Sequence, residues 1–270
     1  MNARDLAELV RAPAALTVPG DSLAGGARGL APALASVCLY WAGMALNDYA
    51  DRELDAKERP ERPIPSGRVT PARALGVASG LTAAGLALAA VQGRRTLAMA
   101  APLAAVVWSY DLLLKDTPAG PAAMAAARGL DVLLGGADSA AAGAVAAHTF
   151  GVTVLSRGEV TGGSAARAGV ALAATGAAAA LAARHTGPRR DRAARYGLLA
   201  AYAGTVGAAQ LKAAREPDAA TVRAGVGASI LGVLPLQAGL IAGRGRPVAA
   251  AAVAALHPLA RRLARKVSPT

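Results

Sequence analysis

Eight stretches of this 270-residue chain contain no Asp, Glu, Lys or Arg for 14 to 20 residues at a time: 29–47, 74–93, 96–110, 139–156, 168–183, 196–211, 224–243 and 247–260. A helix needs roughly 20 mainly apolar residues to cross the ~30 Å hydrocarbon core of a bilayer. Runs of this length, repeated this often, read as a set of membrane helices. Composition agrees, with 54% hydrophobic and 17% charged residues, where ordinary globular domains are about 25% charged. Leu, Ala and Gly dominate without the alternation of a β-barrel, and the 31 glycines suit helices whose backbones approach closely in lipid. A soluble enzyme and a disordered chain are excluded. Cys38 is the single cysteine, so no internal disulfide framework is possible.

Centred on these runs, the sequence predicts an all-α transmembrane bundle with helices near 8–26, 30–48, 72–93, 96–114, 119–137, 139–156, 166–184, 194–212 and 221–243. A tenth apolar segment at 247–264 is expected as an added or interfacial helix. One domain over 1–270 is expected, with its core at 8–243. The formal charge of +12 is spread among the loops between apolar segments, which points to topology signals and anionic lipid rather than nucleic acid. At the N-terminus, Asp5, Glu8 and Arg11 interrupt what a signal peptide would need. The Lys and Arg bias places the 49–71 loop on the cytoplasmic side of a multi-pass protein of the cytoplasmic membrane. Arg184, Arg189, Arg190, Arg192 and Arg195 oppose that bias.

The longest polar stretch follows the second apolar run and reads NDYADRELDAKERPERPIPSGRVTP, from Asn47 to Pro71. On a helix, Asp48, Asp51 and Asp55 share one face. Like charges at that spacing disfavour a helix by roughly a few tenths of a kcal/mol per pair, and a divalent cation reverses the sign. Mg²⁺ favours one or two carboxylates completed by water and phosphate oxygens. Lys57, Arg59, Arg62 and Arg68 follow as donors for phosphate, the arginines bidentately. By spacing alone, a solvated loop of balanced charge explains the same residues equally well.

The whole string NDxxDxxxD followed by RPxRPIPSG resembles the signature of the UbiA superfamily of intramembrane prenyltransferases. Asn47, Asp48, Asp51 and Asp55 match its first aspartate-rich motif, and Arg59 to Gly67 match the element after it. The resemblance implies nine transmembrane helices around a central cavity. It implies carboxylates (Asp48, Asp51, Asp55) that hold Mg²⁺ and through it an isoprenyl diphosphate, whose allylic C–O bond ionises. A small acceptor, commonly an aromatic ring, then attacks the cation. Asn47, Arg59, Arg62 and Lys115 are the residues expected on the diphosphate, Lys115 reading equally well as a topology lysine that snorkels to the membrane surface.

The family's second aspartate-rich motif has no full counterpart. The corresponding stretch, LSRGEVTGGSAARAG from Leu155 to Gly169, has Glu159 as its only acid and places Arg157 where a carboxylate is expected. Three readings follow. Arg157 replaces one metal as a fixed charge on the diphosphate with Glu159 as a lone metal ligand; or one metal suffices for a different substrate; or the protein binds or transports an isoprenoid lipid without catalysis. Tyr110 and Asp111 are expected near the cavity. Arg128 and Asp131 read as an intramembrane ion pair or as cavity lining, and Asp21 as helix-end polarity or part of an acceptor pocket. His148, His185 and His257 lack metal-ligand spacing. The DGxxAR string of the CDP-alcohol phosphotransferases is absent after Asp48.

Overall fold

The computed structural model describes residues 1–184 and 189–267, so His185 lies outside the described residues. All regular elements among them are helical. They are α1 (Ala3–Leu9), α2 (Val18–Gly25), α3 (Leu30–Ala50), α4 (Arg52–Glu58), α5 (Pro71–Gln92), α6 (Arg94–Ser109), α7 (Gly120–Gly135), α8 (Ser139–Ser156), α9 (Ala165–Ala183), α10 (Arg192–Arg215), α11 (Ala219–Gly243) and α12 (Pro247–Val267). A π-helical turn, Tyr110–Leu114, extends α6. Among the described residues, six helices are long and apolar enough to cross a membrane: α3, α5, α6 with its π turn, α8, α9 and α11.

Helix starts follow the capping chemistry written in the sequence. Thr70 accepts the Arg73 N–H ahead of Pro71 at the start of α5. Asp138 does the same for α8, Ser164 for α9 and Asp218 for α11, each satisfying amides that a helix start leaves without partners. The expected first helix, 8–26, is broken. Arg11 adopts a left-handed backbone (φ 47°), a 3₁₀ segment covers Ala12–Thr17, and α2 begins with Pro19 in its first turn. Prolines at 13 and 19 lack the amide protons that a continuous helix would use there.

Two apolar cores flank a cavity. One joins α2, α7, α8, α9, α10, α11 and α12 through residues such as Val132, Val145, Tyr202 and Leu240. The other joins α3, α5, α6 and α7 through Leu39, Ala89, Leu103 and Leu134. Helix α7 belongs to both and forms the seam. The cavity, about 450 Å³, is lined by α3, α6 with its π turn, α7, α8 and α11 together with Arg11 and Glu159. Of the helices expected around a central cavity, α3, α6, α7, α8 and α11 line it directly, and α5, α9, α10 and α12 pack behind them. Helix α12 covers the expected 247–264 segment and seats Ala250 and Val253 against the first core.

Close approach of α2 to α7 fixes the seam. A Cβ on Gly25 would land on the Val132 carbonyl, and one on Gly135 on the Ser22 carbonyl. Neither obstacle is a flexible side chain, so Gly25→Ala or Gly135→Ala is expected to cost about 1–3 kcal/mol through overpacking. Gly80→Ala, which meets open space in α5, is expected to be neutral or to gain up to about 1 kcal/mol from helix propensity. Thermal unfolding of the detergent-solubilised variants checks both expectations.

Candidate active site

The Asn47–Pro71 string builds the cavity mouth. Helical bonding runs on past the end of α3, since the Asp51 amide donates to the Asn47 carbonyl (2.9 Å) and the Asp55 amide to the Asp51 carbonyl (2.8 Å). Asp48 and Asp55, seven residues apart, therefore face the same way, and both are buried. The chain then turns back over them. The Val69 amide donates to the Pro63 carbonyl at 2.9 Å, and Gly67 takes φ 75°, a conformation that favours glycine. This turn delivers Arg62 to Asp55 at 2.6 Å and to Asp48 at 3.4 Å.

Arg11 closes the same cluster from the other side. Its left-handed backbone aims the guanidinium inward, 2.7 Å from Asp48 Oδ1 and 3.1 Å from Asn47 Oδ1. The Asn47 amide nitrogen donates to Asp51 Oδ2 at 3.1 Å and to Asp111 Oδ1 at 3.3 Å. Two carboxylates thus converge on one neutral amide. Asp111 reaches it because of the π turn: the Lys115 amide donates to the Tyr110 carbonyl five residues back, at 2.9 Å. Such single π turns recur at functional sites. The same turn brings the Lys115 ammonium into an ion pair with Asp51.

Of the sequence-predicted residues, Asn47, Asp48, Asp51, Asp55, Arg62 and Lys115 come together in one cluster. Arg59 is exposed after α4; its charge, with that of Arg223, opposes the upward shift of the Glu159 carboxyl that burial causes. Glu159 lines the same cavity as Asn47 and Asp111. Arg157 is exposed and donates to the backbone carbonyls of Lys115 and Thr117, so its guanidinium caps the end of the α6 extension and braces Lys115. Two expected phosphate donors are placed elsewhere. Lys57 is exposed on α4, and Arg68 turns to α1, 3.0 Å from Asp5 and 2.6 Å from Glu8. Tyr110 and Asp111 line the cavity. Arg11 carried a sequence signal too, as a lone cation before Pro13 in an otherwise apolar stretch. The long range of its contacts to 47 and 48 was not visible there.

Among the described residues, no group of three or more His, Cys, Asp or Glu gathers as a metal centre. The donors present still suit Mg²⁺. Asp51 and Asp111 offer hard oxygens from two sides of one amide, and that ion takes one or two carboxylates and completes its shell with water and phosphate oxygens.

At the inner end of the cavity, Arg128 lies 2.7 Å from Asp21, and Ser36 donates to Asp131. The expected Arg128–Asp131 pair is thus a larger group, in which Asp21 is fully buried and accepts from Gln237 at 2.7 Å. His148 meets the Tyr202 hydroxyl at 3.0 Å, and His257 Nδ1 lies 3.1 Å from the Leu231 carbonyl; both histidines serve helix packing.

Comparison with known proteins places the chain. The model of the UbiA prenyltransferase family matches residues 14–269. A digeranylgeranylglyceryl phosphate synthase of Methanopyrus kandleri is 46% identical over 112 residues, 40% of this chain and 41% of that protein. One of Halobacterium salinarum is 37% identical over 167 residues, 57% and 60% of the two chains. The chain therefore aligns with roughly two-fifths to three-fifths of the length of these relatives. A UbiA homologue from Aeropyrum pernix superposes with a TM-score of 0.65 at 17% identity, covering 86% of this chain and 98% of that one. A UbiA homologue from Archaeoglobus fulgidus bound to DMAPP and Mg²⁺ gives 0.63 at 13% identity, covering 87% and 99%.

The cluster generates a contrast between two arginines. Arg11→Ala is expected to weaken inorganic pyrophosphate binding about tenfold or more, the scale of one lost charge-assisted hydrogen bond. Arg68→Ala should leave it within about twofold, because that guanidinium is committed to Asp5 and Glu8 outside the cavity. Isothermal titration of the purified variants with Mg²⁺ present measures both.

Proposed function

Because the chain belongs to the UbiA prenyltransferase family, we propose that it moves an isoprenyl group from an isoprenyl diphosphate to a small acceptor, aromatic or otherwise, at the mouth of this cavity. One observation carries the reading: Asp51 and Asp111 converge on the Asn47 amide at the entrance of an apolar cavity, ringed by Arg11, Arg62 and Lys115.

Asp51 and Asp111 would hold Mg²⁺, with Glu159 open to a second ion within the same cavity. When bound, the metal supplies charge neutralisation for the departing diphosphate. The protein's own cations do related work. Arg11, Arg62 and Lys115 now hold carboxylates, and an arriving diphosphate offers them phosphate oxygens instead, in the planar two-pronged geometry that arginine favours. Arg59 joins from the rim, and Arg157 keeps Lys115 in place through its two carbonyl contacts. Asp48 and Asp55 fix Arg62 and so shape the mouth. The allylic C–O bond breaks with its electron pair leaving on the diphosphate. Walls formed by Leu39, Met44, Val107 and Met124 keep water from the cation. The acceptor atom then forms the new bond and sheds its proton. The mouth is assigned to the cytoplasmic face, where the loop's basic residues favour it.

A second reading, binding or carriage of an isoprenoid without turnover, draws on one observation: the bases already neutralise Asp48, Asp51 and Asp55. An assay with geranyl, farnesyl and geranylgeranyl diphosphates, Mg²⁺ and candidate acceptors separates the two. Transfer predicts acceptor-dependent release of pyrophosphate. Asp51→Asn is expected to abolish that release and the Mg²⁺-dependent part of diphosphate binding, while the monodisperse yield stays unchanged. Binding of all three compounds with no release under any acceptor favours the carrier.

A further inference from the structure

The end of the bundle away from the mouth carries a second basic cluster. Helix α6 starts at Arg94, and its π turn brings Asp111 to the mouth. Seventeen residues of helix separate the two, roughly 25 Å along the axis. Helix α3 runs the same way, from Leu30 to Asn47. Four connections meet at the far end: 26–29, 93–95, 136–138 and 244–246. Between them they hold five arginines (Arg28, Arg94, Arg95, Arg244 and Arg246), no lysine and one acid, Asp138. With the mouth on the cytoplasmic face, as proposed above, these arginines stand on the side that topology signals leave poor in basic residues. Topology does not account for them.

The arginines border a pocket of about 570 Å³, lined by Arg95, Arg244, four glycines and the start of α8. Arg244 is fixed in place: it donates to the carbonyls of Ala24 and Gly25 at 2.8 Å each, through Nε and Nη2, and Nη2 also pairs with Asp138 at 2.6 Å. Its Nη1 has no hydrogen-bond partner among the described residues, and a Cβ on Gly26 would lie 2.7 Å from it. Glycine at 26 therefore leaves that donor room. Asp138 does not oppose an anion here, because its carboxylate is engaged by Arg244 and by the Ala141 amide at 2.9 Å. Ser139 and Ala140 line the same pocket, and the first amides of a helix have no partner within it. Guanidinium donors beside a helix start suit a phosphate group.

The surface next to the arginines is apolar. Leu30, Val91 and Val248 are 80%, 89% and 84% exposed, and each lies within three residues of one of them along the chain. Cations at headgroup level with bare hydrocarbon contacts next to them match a lipid, whereas a soluble phosphate needs only the cations. We propose that this end of the bundle binds an anionic phospholipid, its phosphate seated at Arg95 and Arg244 with Arg28, Arg94 and Arg246 around it, and its acyl chains on Leu30, Val91 and Val248. The site is separate from the diphosphate site and stands without it.

Native mass spectrometry of the detergent-solubilised full chain, titrated with phosphatidylglycerol or with phosphatidylcholine of the same acyl chains, reads the occupancy. The wild type is expected to hold phosphatidylglycerol at least about tenfold more tightly than phosphatidylcholine. Arg28→Gln/Arg94→Gln/Arg95→Gln removes three exposed charges and keeps Arg244 in its packing contacts; the preference should fall to within about twofold. Lys57→Gln/Arg73→Gln/Arg215→Gln removes equal charge from exposed positions at the mouth end and should leave the preference unchanged. A wild type without preference overturns the proposal. So does a preference that survives the first triple variant, which places the lipid elsewhere, or one that falls equally in the second, which reduces the effect to net charge. Soluble glycerophosphate that displaces phosphatidylglycerol at a matching concentration also overturns it, by making the pocket a site for free phosphate esters. Should the first triple variant fail to fold, Arg95→Gln alone decides: a loss of preference of about threefold or more is expected, and an unchanged preference refutes the site.

Discussion

Carboxylates clustered at the edge of a bilayer need positive partners within reach, and the mouth of this cavity is organised around that requirement. Asp48, Asp55 and Asp111 are all less than a tenth exposed. In a medium of low dielectric, an unpaired buried charge costs several kcal/mol, and removing one member of a buried pair costs on the order of 3–5 kcal/mol. The local backbone supplies the partners. The turn at Gly67 returns Arg62 over Asp48 and Asp55, the left-handed residue at 11 brings a second guanidinium to Asp48, and the π turn after α6 carries Lys115 to Asp51. Each of these three departures from regular helix falls where a cation must reach an acid.

That arrangement also makes the cluster exchangeable. Its cations are bound to carboxylates that can yield them to a more highly charged anion, and its acids can take a metal in place of an ammonium or guanidinium. A network of this kind stays folded while empty and has ligands ready when substrate arrives. Asn47 occupies the pivot: its oxygen accepts from Arg11 while its nitrogen donates to Asp51 and Asp111. A carboxylate there would crowd three acids together, and an apolar side chain would remove one hydrogen bond from each of Arg11, Asp51 and Asp111.

The scaffold holds the cluster at the entrance to an apolar space because α7 packs into two separate cores. Glycines at 25 and 135 let α2 and α7 touch backbone to backbone, and Arg244 ties the same corner, donating to the carbonyls of Ala24 and Gly25 at 2.8 Å each and pairing with Asp138 at 2.6 Å. Small residues at the seam bring the helices close there. The larger Met44, Met124 and Ile230 face the gap that remains between the two cores.

Much of this was written in the chain itself. Charge-free runs of bilayer length require helices, because a backbone in lipid must satisfy its own hydrogen bonds, and the runs at 29–47, 74–93, 139–156, 168–183 and 224–243 each became one. The local string from Asn47 to Gly67 carried its acids and Arg62 to one site because helical spacing and a glycine turn act over short range. Contacts between distant segments were decided only by tertiary structure. Arg11 meets Asp48 across 37 residues, Asp21 joins Arg128 from the far end of the sequence, and Arg68 leaves the loop's other bases to bind α1. Periodicity records which face of a helix is apolar. It does not record which helix that face meets, so a long arginine side chain with several acids in range takes its partner from the packing of the bundle.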